Sequence, residues 1–398
     1  MTSFHTRRII ILYLISLAIV LSSCTNFSES SSSNRQETAV SKTSEQLSME
    51  IEAYVAQLEG KGFTGAILIA RDGQILYEQG HNFADEAAQI QNSAETIFDS
   101  GSLSKQFTAV AILQLIEAEK LQLDNTLREI FENVPTDKST ITLHQLMTHS
   151  SGLPQYVYQG DFVETSRTEA EQLAFNAELE LQPGEEYLYS DTGFGLLAAI
   201  VEKVSGTPFT QYMAENIFEP AGMIRTGYYN DPQWDSEVVA TGYNGNDSMG
   251  SAATRPGPYW GLLGFGGVLT TVGDLFAYQK ALNDGTLIQE SSLDMMFTPH
   301  VKEYANGDTY YGYGWVVEEL SDTESLIWHD GSTDSQNAIM LMVREKEQSE
   351  NRLVVIVLAN KIGRNLIGQE IFYGTDTGFS LLSGALANQF EKLPRYAR

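Results

Sequence analysis

The chain has 398 residues and a formal net charge of −28, with 42% hydrophobic and 19% charged residues. This composition is that of a folded globular protein long enough for one large domain or two smaller ones. A surface this acidic argues against nucleic acid as a partner, because phosphates need basic side chains.

The N-terminus is predicted to carry a processing signal. Arg7 and Arg8 precede the apolar run 9–21, which is too short for an ordinary membrane-spanning helix. A basic flank, an apolar stretch and small residues are typical of a secretory signal peptide, here residues 1–23. LSSC (residues 21–24) resembles a bacterial lipobox, so we expect lipid on Cys24, the only cysteine of the chain. The alternative is a secreted protein with an idle thiol at its start.

The segment after the signal peptide is predicted to be a tether. Residues 24–46 are rich in serine and nearly free of large apolar side chains, which is typical of a flexible linker. Folding is expected to begin with an amphipathic helix, indicated by Leu47, Ile51, Tyr54, Val55 and Leu58. We therefore assign one domain to residues 47–398.

Two β-hairpins are predicted far apart in the chain. The first, residues 65–80, has β-rich runs on both sides of Asp72-Gly73, a strong turn signal. The second covers residues 337–360. Helical patterns lie between them, with predicted starts at Thr207-Pro208 and Thr271. The order predicts an α+β (mixed α/β) fold, in which an antiparallel sheet from N- and C-terminal segments is flanked by helices and carries an inserted, mainly helical subdomain. A cleft between the two parts would be the natural site.

The segment GSLSKQFTAV (residues 101–110) places Ser102 and Lys105 three residues apart at the start of an apolar helix. Residues i and i+3 share a helix face, with Cβ atoms about 5–6 Å apart, so the hydroxyl can meet the amine. A serine hydroxyl needs a neighbour to take its proton, and partial burial lowers the pKa of a lysine toward that role. The alternative is that Lys105 snorkels to water. One such spacing per chain is about what chance supplies, so alone it decides nothing.

Further motifs follow in order: ITLHQLMTHSSGLP (141–154), YSD (189–191), GFGGVLTTVGDL (264–275), YGYGWVVE (311–318) and WHDGSTDS (328–335). With the S-x-x-K of Ser102 and Lys105, they resemble the serine β-lactamase and penicillin-binding-protein family, in its class C-like branch of esterases, D-amino-acid peptidases and carboxypeptidases. The resemblance covers roughly residues 47–360. It implies a β-lactamase/transpeptidase-like fold and serine hydrolase chemistry.

The resemblance also implies a role for each motif residue. Ser102 is the expected nucleophile, and Lys105 and Tyr189 are expected to move its proton. Which of the two is deprotonated at rest stays open, because coupled groups titrate as a unit. The expected oxyanion hole is the backbone N–H of Ser102 with that of Ser332. The expected substrate-binding residues are Asp191, His329 and Gly331.

Two of these positions depart from the commoner pattern. Asp191 replaces the more usual asparagine; it could cap the following helix, keep Lys105 charged, or do both. His329 stands where β-lactam-directed members often carry lysine, and we expect it to support Tyr189 and face the substrate. We interpret His144 and His149 as local packing and hydrogen-bonding residues.

The sequence favours a lipid-anchored serine hydrolase of the bacterial cell envelope, acting through an acyl-enzyme on an ester, a D-amino-acid peptide amide or a lactam. A second interpretation is a penicillin-recognising sensor or binding protein of the same fold with little turnover. No cofactor or metal is expected, because the histidines are scattered and lack metal-ligand spacing. We expect a small-molecule or peptide substrate and a monomer.

Overall fold

The computed structural model describes residues 49, 51–53, 55–56, 59–60, 62–345 and 351–362. The predicted signal peptide, the tether and Cys24 lie outside these residues, so their assignment stays a prediction. Within the described part of the chain, no helix combines the length and apolarity needed to cross a membrane.

The strands, in chain order, are β1 (Gly65–Arg71), β2 (Gln74–His81), β3 (Phe83–Asp85), β4 (Ile90–Gln91), β5 (Phe98–Asp99), β6 (Gly227–Tyr228), β7 (Thr241–Asn244), β8 (Asp247–Ser251), β9 (Val268–Thr270), β10 (Val301–Lys302), β11 (Thr309–Tyr311), β12 (Val316–Glu319), β13 (Glu324–Ser332), β14 (Asn337–Glu345), β15 (Asn351–Ala359) and β16 (Lys361–Ile362). The α-helices are α1 (Ser104–Glu117), α2 (Leu127–Ile130), α3 (Leu143–Met147), α4 (Arg167–Asn176), α5 (Asp191–Ser205), α6 (Phe209–Met213), α7 (Val272–Asn283) and α8 (Glu290–Met296). Residues 49–60 are helical wherever they are described.

One large antiparallel sheet organises the molecule. Among the described residues it has eight strands, in the order β10-β11-β12-β13-β14-β15-β1-β2, so the N-terminal hairpin lies directly beside the C-terminal one. Gly65 of β1 pairs with Ala359 of β15, and Asn337 of β14 pairs with the same residue from the other side. The predicted sheet from the two ends of the chain, with helices inserted between, is confirmed.

Both faces of this sheet are covered, which explains the unbroken apolar run of β1. Ala66 and Leu68 pack into the core shared with the inserted helices, whereas Ile67 and Ile69 pack against Ile51 of the N-terminal helical residues. Side chains alternate between the two faces of a strand, so a strand buried on both sides needs apolar residues at every position.

Local signals fix most element boundaries. Asp72 and Gly73 both have positive φ, 49° and 73°, as the predicted tight turn of the first hairpin requires. Thr271 caps α7 by accepting the N–H of Asp274 at 3.0 Å. The predicted start at Thr207-Pro208 is one residue early, because Pro208 is the cap and α6 begins at Phe209.

Candidate active site

Ser102 and Lys105 meet as their spacing predicts. Ser102 lies in a 3-10 turn, Gly101–Leu103, and α1 begins after it at Ser104, so the helix does not start at the serine as expected. The Nζ of Lys105 nevertheless lies 3.0 Å from the Ser102 Oγ and donates to it. Lys105 is 0% exposed, which excludes the snorkelling alternative.

The ammonium of Lys105 is held by an ion pair and a ring of oxygens. Its Nζ lies 2.7 Å from Asp191 Oδ1 and donates to the Phe265 carbonyl at 3.3 Å. Burial acts to lower the pKa of Lys105, but the Asp191 carboxylate and the Tyr189 phenol outweigh it, so the pKa lies above its ordinary value. This direction is opposite to the lowering that burial alone would cause, and it favours the ammonium form of Lys105.

Asp191 reaches Lys105 because it is the first residue of α5. The helix cap is the preceding residue, Ser190, whose Oγ accepts the N–H of Gly193 at 3.0 Å. Ser190 thus takes the capping role considered for Asp191, and the Asp191 carboxylate takes the second role, that of keeping Lys105 charged. Its predicted contact with substrate remains a prediction.

Tyr189 completes the cluster from the segment before α5. The Lys105 Nζ lies 4.8 Å from the centre of its ring, and hydrogen bonds join its phenol oxygen to Lys105 and Ser102. Burial raises the pKa of Tyr189, and the nearby Lys105 charge offsets this only in part, so the phenol keeps its proton at neutral pH. The three groups proposed to share the serine proton are therefore in contact.

Two glycines bring the serine turn against the end of β13. A Cβ on Gly101, where φ is +51°, would lie 2.8 Å from the backbone N of Ser332. A Cβ on Gly331 would lie 3.0 Å from the backbone N of Ser102 and would overlap the Ser100 carbonyl oxygen. Gly331 is thus needed for close backbone approach, and the substrate contact expected of it remains a prediction. The N–H groups of Ser102 and Ser332, the predicted oxyanion hole, belong to the two backbone segments that approach each other here.

His329 lies behind this surface. It is 2% exposed, its Nε2 lies 2.9 Å from the Tyr311 hydroxyl, and its Nδ1 lies 2.6 Å from the Asp330 carbonyl. Its ring centroid is 6.5 Å from that of Tyr189. The expectation that His329 faces the substrate is therefore wrong, because the side chain of this strand residue points into the protein. Its support of Tyr189 remains a prediction.

His144 and His149, which the sequence predicts to be packing and hydrogen-bonding residues, form such local contacts. His144 lies 2.9 Å from the Tyr313 hydroxyl through Nδ1. His149 is fully buried and accepts the N–H of Ser190 through Nδ1 at 3.0 Å. Its ring also lies 4.3 Å from that of Tyr189, a contact that the sequence interpretation did not include.

The sequence analysis did not include Asp99, which stabilises the serine turn, the 3-10 turn Gly101–Leu103. Its carboxylate accepts the N–H of Gly101 at 3.0 Å and the hydroxyl of Tyr229. Aspartate side chains often accept a hydrogen bond from the backbone N–H two residues later. The sequence Asp99-Ser100-Gly101 before Ser102 could therefore have indicated this bond. Burial raises the pKa of Asp99 to about 6, although Tyr229 and Gly101 act to lower it.

The raised pKa of Asp99 predicts that the free energy of unfolding depends on pH. An unfolded aspartate loses its proton near pH 3.8 and the folded one near 6, so this group's contribution to stability falls as pH rises between those values. Relative to Asp99→Asn, the native protein should lose about 2 kcal/mol of unfolding free energy between pH 4 and pH 7. Urea unfolding of both proteins at the two pH values measures this. A difference between them that does not change with pH would contradict it.

Comparison with known proteins places this site in a family. Residues 51–372, well over half of the chain, match the family model described as Beta-lactamase. Penicillin-binding protein PbpX of Bacillus subtilis is 33% identical over 256 residues, 64% of this chain and 62% of that protein. The chain thus spans less than two thirds of that relative.

Solved structures agree in fold. The octameric penicillin-binding protein homologue from Pyrococcus abyssi has a TM-score of 0.67 and 29% identity, covering 85% of this chain and 77% of the other. The D-amino acid amidase from Ochrobactrum anthropi has a TM-score of 0.67 and 19% identity, covering 86% and 100%. The match over residues 51–372 shows that the chain belongs to the beta-lactamase family, and its S-x-x-K and Y-x-D residues meet at one buried lysine.

Proposed function

We propose that the protein is a serine hydrolase that acts through an acyl-enzyme on an ester, amide or lactam carbonyl. The observation that carries this proposal is the Ser102 Oγ lying 3.0 Å from the buried Lys105 Nζ, beside Tyr189. A hydroxyl paired with groups that can exchange its proton is the general requirement for a serine nucleophile. Membership of the beta-lactamase family supports the same chemistry.

Acylation follows from the contacts at Ser102. Its Oγ forms a bond to the carbonyl carbon of the substrate while the hydroxyl proton passes to the Tyr189 oxygen and Tyr189 passes its own phenolic proton to the leaving group. The carbonyl oxygen, negative until the bond to the leaving group breaks, is held by the backbone N–H groups of Ser102 and Ser332. The leaving group departs with the proton that it received from Tyr189. Water then repeats the sequence on the acyl group and frees Ser102.

The charge state of the cluster makes Tyr189 a relay rather than a resting base. Lys105 has three N–H donors and no lone pair as an ammonium ion, so it cannot accept the serine proton directly. A neutral Tyr189 accepts that proton only as it passes its own toward the leaving group. The Lys105 charge stabilises the phenolate character that develops on the way.

The strand edge supports a preference for neutral esters over substrates that carry a carboxylate. His329 is turned into the protein, so it does not supply the positive charge that a lysine there would offer. Arg255, near the end of β13, donates to both carboxylate oxygens of Asp334 at 2.9 and 3.1 Å. A charge-assisted hydrogen bond contributes about 1.5–3 kcal/mol, so without one carboxylate substrates should bind about ten- to a hundredfold more weakly.

We place this activity in the cell envelope, with the chain exported and anchored by lipid on Cys24, on the strength of the N-terminal sequence. A monomer is likewise proposed; the Pyrococcus abyssi homologue is described as octameric. Measuring the mass of the native N-terminus and the size of the protein in solution decides both points.

The nucleophile can be identified by covalent labelling. A fluorophosphonate probe should add once to the native protein, on Ser102, because the Lys105–Tyr189 cluster activates that hydroxyl alone. Ser102→Ala should lose the adduct. Ser104→Ala should keep it, because in the native protein the Ser104 hydroxyl donates to the Gly101 carbonyl. Intact mass and peptide mapping give the answer. An adduct that persists in Ser102→Ala, or maps elsewhere, would refute the mechanism.

Turnover separates the hydrolase from the sensor. With a p-nitrophenyl ester, a hydrolase releases product continuously, whereas a sensor releases one equivalent and stops. We expect continuous release, with nitrocefin hydrolysed more slowly than the ester. A single stoichiometric burst would favour the penicillin-recognising sensor.

The oxyanion hole can be tested at Gly331. Gly331→Ala puts a methyl group against the Ser100 carbonyl and forces the serine turn away from β13, so we expect kcat to fall about 10²–10³-fold. Gly60→Ala is the control, because its added Cβ would meet nothing within 4 Å. Thermal unfolding checks that both variants fold. Native kcat in a folded Gly331→Ala would place the oxyanion hole elsewhere.

A further inference from the structure

His149 forms hydrogen bonds with the backbone on both sides of Tyr189. Its carbonyl oxygen accepts the N–H of Leu188 at 2.7 Å, and its ring Nδ1 accepts the N–H of Ser190 at 3.0 Å. Its imidazole also lies against the phenol ring, with 4.3 Å between the two centroids. One residue therefore fixes the chain before Tyr189, the chain after it and the ring itself.

The backbone around His149 is rigid enough for this role. Residue 149 follows the short helix α3 and has φ = +55°, the left-handed conformation in which asparagine, aspartate and histidine are enriched among residues other than glycine. The next residue, Ser150, donates its N–H to the Gln145 carbonyl at 2.9 Å, which closes the end of α3. The left-handed turn is thus fixed by the end of the helix.

The hydrogen bonds define the state of the imidazole. The Nδ1 of His149 receives an N–H group, so it must carry a lone pair, and the proton of a neutral ring then sits on Nε2. A second proton on the ring would go to Nδ1. The Nδ1–H of His149 and the N–H of Ser190 would then be two donors that face each other. The bond after Tyr189 holds only while His149 is neutral.

We infer that His149 is a positioning residue for the reaction, which holds the Tyr189 phenol against Ser102 and Lys105 as a neutral, Nε2-protonated imidazole. This inference rests on the proposed hydrolase function. It assigns a purpose to the histidine of the motif THSSGLP, which contributes no atom to the reacting groups. It also predicts that one limb of the pH–rate profile belongs to a residue outside the catalytic trio.

Several titratable groups surround His149 and belong in the analysis of that profile. The titratable rings that face it are those of Tyr187, Tyr189 and Tyr311, at centroid distances of 5.8, 4.3 and 4.5 Å. Lys105 and Asp191 lie beyond Tyr189, and His329 lies beyond Tyr311. Of these neighbours, His329 is the other imidazole, so its variant is needed as a comparison.

The test compares two substitutions of His149. In His149→Asn, the side-chain Oδ1 can still accept the Ser190 N–H, asparagine tolerates the left-handed backbone, and nothing titrates. In His149→Ala, the acceptor is gone. We expect His149→Ala to lose about ten- to a hundredfold in kcat for a p-nitrophenyl ester, with KM little changed, because misplacement by about 1 Å can cost this much.

We expect His149→Asn to stay within a few fold of native kcat and to lose the acidic limb of the pH–rate profile, which His329→Gln should retain. His144→Asn is the matched control, because His144 belongs to the same α3 segment but bonds Tyr313, and its activity should be native. Folding of each variant is checked by circular dichroism and thermal unfolding. Native kcat and an unchanged acidic limb in His149→Ala and His149→Asn would overturn the inference.

A spectroscopic measurement separates this inference from the proposed function. In protein labelled with ¹⁵N-histidine, the signal lost in His149→Asn should show a non-protonated Nδ1 and a protonated Nε2 at neutral pH. A protonated Nδ1 would overturn the inference even in an active enzyme. If the native protein neither turns over esters nor labels at Ser102, the proposed function fails, while the tautomer still reports whether His149 holds the backbone as described.

Discussion

The ion pair between Lys105 and Asp191 is the interaction on which the rest of the site depends. A buried ammonium ion costs several kcal/mol unless it is paired, and removing one partner of a buried pair typically costs about 3–5 kcal/mol. The pair therefore ties the start of α5 to the first turn of α1. The carbonyl of Phe265 and the Ser102 Oγ accept further hydrogen bonds from the same ammonium, so three chain segments converge on one charge. Position and charge of the reacting groups are set by the same contacts.

The serine turn completes this arrangement from the sheet side. Asp99 fixes the left-handed Gly101, and Gly331 at the end of β13 leaves room for the turn to touch the strand. The sheet is rigid because both of its faces are packed, so the strand end offers a fixed reference for the two backbone nitrogens. The serine turn, which precedes α1, thereby lies against a strand that comes more than 200 residues later in the sequence.

The sequence allowed the fold and the meeting of Ser102, Lys105 and Tyr189 to be predicted, since hairpin turn residues, helix patterns and ordered motifs are local signals. What it could not supply was the outcome of contacts between distant residues. The pKa of Lys105 depends on whether burial or Asp191 dominates, and the spacing of S-x-x-K contains neither. His329 was expected to face the substrate, but the orientation of a strand residue follows from which face is buried. The part played by His149 depends on a left-handed turn that no local pattern announced.

The central claim is that Lys105 works as a permanent ammonium ion and Tyr189 as a relay. It is tested most directly by the pH dependence of kcat/KM for a p-nitrophenyl ester in native protein and in Asp191→Asn. Asparagine keeps an oxygen near Lys105 but removes the charge that raises its pKa, so burial should then lower that pKa. The basic limb of the profile should move to lower pH in Asp191→Asn, because activity is lost when Lys105 loses its proton. Higher activity of Asp191→Asn at neutral pH, with the acidic limb moved downward instead, would show that Lys105 acts as a free base and would contradict it.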